Sequence, residues 1–169
     1  MRRKSVWIAM AIALSMLLLV PAILAGCGNA QAGPHNDQEK LVDQVLRGAT
    51  TGDFQVALDA VPPEYIAQIR EFMPDLSEQE LQDMLITSIK SGFQSAFGYT
   101  GTELVQVFYK TVSEGSDKAK VYYWGTLKYQ ENGETKTQTF TEKDAESQGL
   151  VFPVLKQNGR WYWDLEAPS

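Results

Sequence analysis

The stretch Val154-Leu155-Lys156-Gln157-Asn158-Gly159-Arg160-Trp161-Tyr162-Trp163 decides the fold. An Asn-Gly pair between two runs of β-branched and aromatic residues is the strongest short-range signal for a two-residue hairpin, because both turn residues must take positive φ. A turn at 158–159 joins strands Leu150–Lys156 and Arg160–Leu165, setting Val154 opposite Trp163 and Lys156 opposite Trp161. Phe152, Val154, Trp161, Trp163 and Leu165 then crowd one side of a sheet. A second pair, Asn132-Gly133, joins Lys118–Gln130 to Glu134–Thr141, and Thr102–Val112 precedes them across the polar turn Ser113–Asp117. Within Lys118–Gln130, Ala119, Val121, Tyr123, Leu127 and Tyr129 share one face. Lys118, Lys120, Thr126 and Lys128 share the other, together with Tyr122 and Trp124. Lys143–Gln148 reads as a charged loop.

Before Gly101 the apolar period is helical. Asn36 followed three residues later by Glu39 is a helix-start signature, and Leu41, Val42, Val45, Leu46 and Ala49 then recur on one face up to Gly52. Asp53 is placed to cap a short helix through Ala57 and Leu58, ending before Pro62-Pro63. A further short helix from Glu64 to Met73 carries Tyr65, Ile66 and Ile69. Ser77 and Glu80 form a capping box that opens the longest helix, to about Phe97. Its stripe is Leu81, Met84, Leu85, Ile89, Phe93 and Phe97, and Gly98 is its expected C-cap. Helices first, then strands, with no βαβ alternation, predict an α+β domain. In it, N-terminal helices lie on a curved antiparallel sheet of four to five strands, wrapped around the long helix.

The chain opens differently. Arg2, Arg3 and Lys4 precede an apolar run from Val6 to Ala25, interrupted by Pro21, which is the arrangement of an export signal. Leu24-Ala25-Gly26-Cys27 resembles the lipobox of bacterial lipoproteins: an aliphatic residue, two small ones, then a cysteine. That resemblance implies a diacylglyceryl group on the Cys27 thiol, cleavage before it, and a lipid-anchored body outside the cytoplasm. A plain transmembrane anchor is the alternative, since Val6–Ala25 is 20 residues long. A conventional cut near Ala25, leaving a free thiol, is another. The expected organisation is a signal over 1–26, an acylated flexible tether over 27–37, and a folded domain over 38–169.

The whole chain carries a net charge of −6; the leader holds three cations and no acid, so the part from Cys27 onward is −9 over 143 residues. An acidic body argues against nucleic acid and against electrostatic attachment to anionic lipid. Cys27 is the single cysteine, so no intramolecular disulfide is available. His35, the single histidine, falls in the polar tether. No phosphate loop, nucleophile elbow or metal-ligand spacing occurs, and no cofactor is expected.

From Gly52-Asp53-Phe54 through the closing hairpin, residues 38–166 resemble the small cystatin-like or NTF2-like domains found in bacterial lipoproteins. Catalytic relatives of that cone-shaped fold use an Asp, Tyr or His in a cavity. Here Asp53, Asp59, Glu64 and Tyr65 lie where such a cavity would open, and they read as caps and rim residues, not as catalysts. Tyr122 and Trp124, with Tyr162 nearby, form the candidate ligand or partner surface, because aromatics beside Lys and Thr suit sugar rings or extended peptide. The expectation is a non-catalytic binding module for an envelope or small-molecule ligand. An interaction module for a protein partner at the membrane is the rival, and a cavity isomerase or dehydratase the third reading.

Overall fold

The computed structural model describes residues 31–97 and 100–167; the leader, Cys27 and the Gly98 cap expected for the long helix lie outside them. Four helices come first: α1 (Asp37–Thr51), α2 (Gln55–Asp59), α3 (Pro63–Phe72) and α4 (Glu78–Phe97). Strands β1 (Thr100–Ser113), β2 (Lys118–Glu131) and β3 (Glu134–Phe140) follow, then α5 (Glu142–Gln148), β4 (Val151–Gln157) and β5 (Arg160–Trp163). The sheet is antiparallel and curled into a half-barrel with the helices against it, so the α+β class holds.

Local chemistry sets most of these boundaries. Asn36 Oδ1 accepts the Glu39 amide at 2.8 Å, and Gly52 closes α1 in the left-handed region. Ser77 and Glu80 exchange the expected capping-box bonds. Asp53 does not cap α2. Phe54 holds that position without a side-chain bond, while the Asp53 amide donates to Gly48 O at 2.8 Å. Both hairpin asparagines take positive φ, 54° at Asn132 and 50° at Asn158. The register at the second turn pairs Val154 with Trp163 and Lys156 with Trp161, as expected.

The sheet is not a simple meander. β2 is long enough to pair with β3 along 125–131 and with β4 along 118–122, so β3 and β4 share one of its edges. The bend between those halves falls at Gly125, whose φ is 141°; a Cβ there would sit 1.9 Å from Gln106 O. Opposite it, the β1 register shifts by one residue between Leu104 and Gln106, the mark of a β-bulge. Bulge and glycine together give the curl.

The connection from β3 to β4 is a helix, not the expected charged loop. Thr141 and Asp144 form a reciprocal capping box at its start, and Ala145 is fully buried. β5 stops at Trp163 because Asp164 turns the chain, its Oδ1 accepting the Glu166 amide at 3.2 Å. Leu165 is therefore exposed and does not join the aromatic side of the sheet.

The largest difference concerns which helix fills the sheet. The inner face presents Val107 and Tyr109 of β1, Ala119 and Val121 of β2, and Phe152 and Val154 of β4. Val42, Val45 and Leu46 of α1 fill it, with Ala57 and Ala60 behind them. The longer α4 packs on α2, buries Leu81 and, among its described residues, brings Ile89 and Phe93 to the rim of the core. There Phe93 meets Trp163 at 6.0 Å between ring centroids.

Candidate functional site

The three aromatic residues expected to form a binding surface share the outer face of the sheet but do not form one platform. Tyr122 stands opposite Lys110 of β1 and Val151 of β4. Trp124 lies stacked on its cross-strand partner Phe108, with centroids 6.0 Å apart and planes 14° apart. Tyr162 pairs with Leu155, which pairs with Lys118, four residues along β2 from Tyr122. Strand spacing and rise then separate Tyr162 from Tyr122 by roughly 16 Å. Tyr162 is instead covered by the Arg160 guanidinium, 5.2 Å above its ring. Lys110 reaches Glu142 at 2.7 Å and Glu146 at 3.1 Å, which seats α5 on this face beside Tyr122. All three aromatics are half-buried.

A different surface holds an open groove of about 500 Å³, between α1, α2 and the start of β5. Leu41, Val45 and Val56 supply apolar wall; Asp43, Asp59, Arg47 and Arg160 supply charge. Asp53 and Asp59 line this groove, whereas Glu64 and Tyr65 do not. Gly48 at its floor lets α2 approach α1, since a Cβ there would meet Asp53 O at 2.7 Å and Val56 Cβ at 3.1 Å.

Asp43 is the most constrained acid in this groove. It accepts the Tyr109 hydroxyl at 2.7 Å and both oxygens receive Arg47 Nε at 2.9 Å. Burial first, and then the bond to the Asp43 carboxylate, push the Tyr109 phenol far above its ordinary range, so it stays a donor to Asp43. Arg47 is stabilised as a cation by the same carboxylate. This trio was not singled out from the sequence. The i,i+4 spacing of Asp43 and Arg47 is visible there, but it reads as an ordinary helix-surface pair until β1 brings Tyr109 beneath it.

Two more acids are buried and satisfied. Glu39 accepts the His35 amide at 2.7 Å and the Thr111 hydroxyl at 2.9 Å. Asp164 accepts Lys118 Nζ at 3.1 Å as well as the Glu166 amide. The His35 ring is exposed, with Nε2 2.9 Å from Gln31 O. Among the described residues no cluster of His, Cys, Asp and Glu has the arrangement to hold a metal, and no helix is long and apolar enough to cross a membrane.

No family model, curated protein or solved structure matches this chain. Its chemistry has to be read from its own residues. The groove sets Arg47, paired with Asp43, and Arg160, which donates to Asp59 O and lies over Tyr162, beside aliphatic wall and the carboxylates of Asp43, Asp53 and Asp59, open to solvent. That arrangement suits recognition of a polar ligand with an apolar side.

Proposed function

We propose that this protein is a lipoprotein held by Cys27 on the extracytoplasmic face of the cell membrane, with a cystatin-like or NTF2-like body that binds an envelope or small-molecule ligand without catalysing its conversion. The order of helices before a curled sheet supports the kinship. The Leu24-Ala25-Gly26-Cys27 end of the leader supports the anchor.

The binding half rests on one observation, the groove between α1 and α2 with Arg47 and Arg160 at its sides. An acid/base role is not favoured, because Asp43 is tied to Tyr109 and Arg47 and the groove is open to water, while the buried Glu39 and Asp164 lie outside its lining. Titration of the purified protein with cell-wall fragments and small amphiphilic anions, followed by tryptophan fluorescence, tests this. Saturable binding weakened at least tenfold by Arg47→Ala or Arg160→Ala supports the groove; silence across the panel removes it.

The second reading, a docking module for a protein partner, is favoured by Phe72, 86% exposed at the end of α3 with the exposed Met73 beside it. Crosslinking from a photoreactive residue at position 72 in intact cells separates the two.

A further inference from the structure

The charges around the groove are not evenly matched. Arg47 is paired with Asp43, its Nε 2.9 Å from the carboxylate. Three formal charges of the lining then stand without an ion-pair partner among the described residues: the carboxylates of Asp53 and Asp59 and the guanidinium of Arg160.

These three are ordered along α2. Asp53 lies in the connection from α1, and Asp59 is the last residue of α2, so their backbones stand roughly 9 Å apart at the helical rise. Gln55 Nε2 donates to Asp59 Oδ1 at 2.8 Å. Gln55 sits one turn nearer the start of the helix, so this bond draws the Asp59 carboxylate back along α2 toward Asp53. Arg160 holds the other end. Its Nη2 donates to Asp59 O at 3.4 Å, and its guanidinium lies over the Tyr162 ring. A guanidinium carries five N–H donors, so this contact leaves others for an incoming carboxylate. The groove is therefore acidic at the α1–α2 connection and basic at the start of β5, with Leu41, Val45 and Val56 as apolar wall.

We infer that the groove binds a short aliphatic peptide with free ends, its terminal ammonium against Asp53 and Asp59 and its terminal carboxylate on Arg160. The inference rests on the groove being the binding site and names the class of ligand it takes. An anion alone faces two carboxylates, and a cation alone leaves Arg160 unanswered; a zwitterion matches both ends. Two or three extended residues span at most about 7–11 Å, which fits the length of α2, whereas a single amino acid is too short to reach both ends. An aliphatic side chain between the termini then rests on Leu41, Val45 and Val56.

Isothermal titration of the purified protein with Ala-Leu-Ala tests this, beside its N-acetylated and C-amidated forms. The free peptide is expected to bind saturably, and either cap to weaken it about fivefold, the size of an ion pair open to water. Asp53→Asn is expected to weaken the free peptide by the same factor and to leave the acetylated one unchanged. Arg160→Gln is expected to do the same for the amidated peptide. Capped peptides that bind as well as the free one overturn the inference, and so do variants that weaken all three forms alike. If no peptide form binds, the inference falls. The groove reading then depends on the anions and wall fragments titrated above: binding weakened by Arg47→Ala or Arg160→Ala keeps it, and silence removes both.

Discussion

Helices α1 and α4 invert the usual relation between length and importance. α4 has 20 residues and a long apolar stripe, yet among the described residues of that stripe Leu81 is the buried one, with Met84, Leu85, Ile89 and Phe93 half-covered. α1 has 15 residues and buries Glu39, Val42, Val45, Leu46 and Gly48. The difference lies in what each helix brings to the sheet. α1 combines mid-sized aliphatic side chains that fit a curled surface with a glycine that admits α2. It adds two acids, Glu39 and Asp43, that bond to Thr111 and Tyr109 of β1. α4 offers larger side chains and, among its described residues, reaches the core through α2, Ile89 and the Phe93–Trp163 contact. Fit and polar ties, not stripe length, select the helix that fills a concave sheet.

The sharpest way to break this comparison is a matched pair of truncations. Leu46→Ala removes a fully buried side chain and is expected to destabilise the domain by about 2–5 kcal/mol, against about 1 kcal/mol for the half-covered Leu85→Ala. Urea unfolding monitored by tryptophan fluorescence measures both, and equal losses would erase the distinction.

Gly48→Ala comes next. The helix gains by losing a glycine, but the new methyl meets Asp53 O and Val56, so a net loss of about 1–2 kcal/mol is expected in the same assay. The direction is the informative part, because an exposed helical glycine would show the opposite sign. Tyr109→Phe then tests the polar tie between α1 and β1. Asp43 keeps Arg47, so the expected cost is about 1 kcal/mol, with faster hydrogen exchange across the middle of α1.

The smallest effect concerns the helix starts. Bonds from the Ser77 hydroxyl and amide hold the Glu80 carboxyl below its ordinary pKa, so they support α4 fully at neutral pH and are lost as pH falls through that lowered value. The corresponding cap of α1 is Asn36, backed by Glu39, which accepts the His35 amide at 2.7 Å. Amide shifts of Ser77 and Glu80 are expected to move together as pH falls through that lowered value, as followed by NMR; shifts that stay fixed would show that the box does not form.

Of the candidate site, less was readable than of the fold. Asp53 and Asp59, expected at the rim of a cavity, line the groove between α1 and α2, while Glu64 and Tyr65, expected beside them, do not. Asp43, Arg47 and Arg160 come together only when α1, α2 and the last hairpin converge. Tyr122 and Trp124 were assigned correctly to the outer face by alternation alone. That the face is partly occupied follows from α5, whose Thr141–Asp144 box departs from the usual Glu or Gln pattern and whose single buried residue, Ala145, leaves no apolar stripe.

What the residues alone determined is whatever depends on a few neighbours: the caps at Asn36 and Ser77, the Asn-Gly turns, the register of the closing hairpin, and the inner and outer faces of β2. Those choices involve backbone geometry within a few residues and are settled before any long-range contact exists. Only the tertiary structure decided which helix entered the sheet, that β3 and β4 divide one edge of β2, and that residues 33–36 are bonded to β1. Each of these depends on matching surfaces distant in sequence, where shape, a bulge opposite Gly125 and a handful of hydrogen bonds outweigh the local pattern.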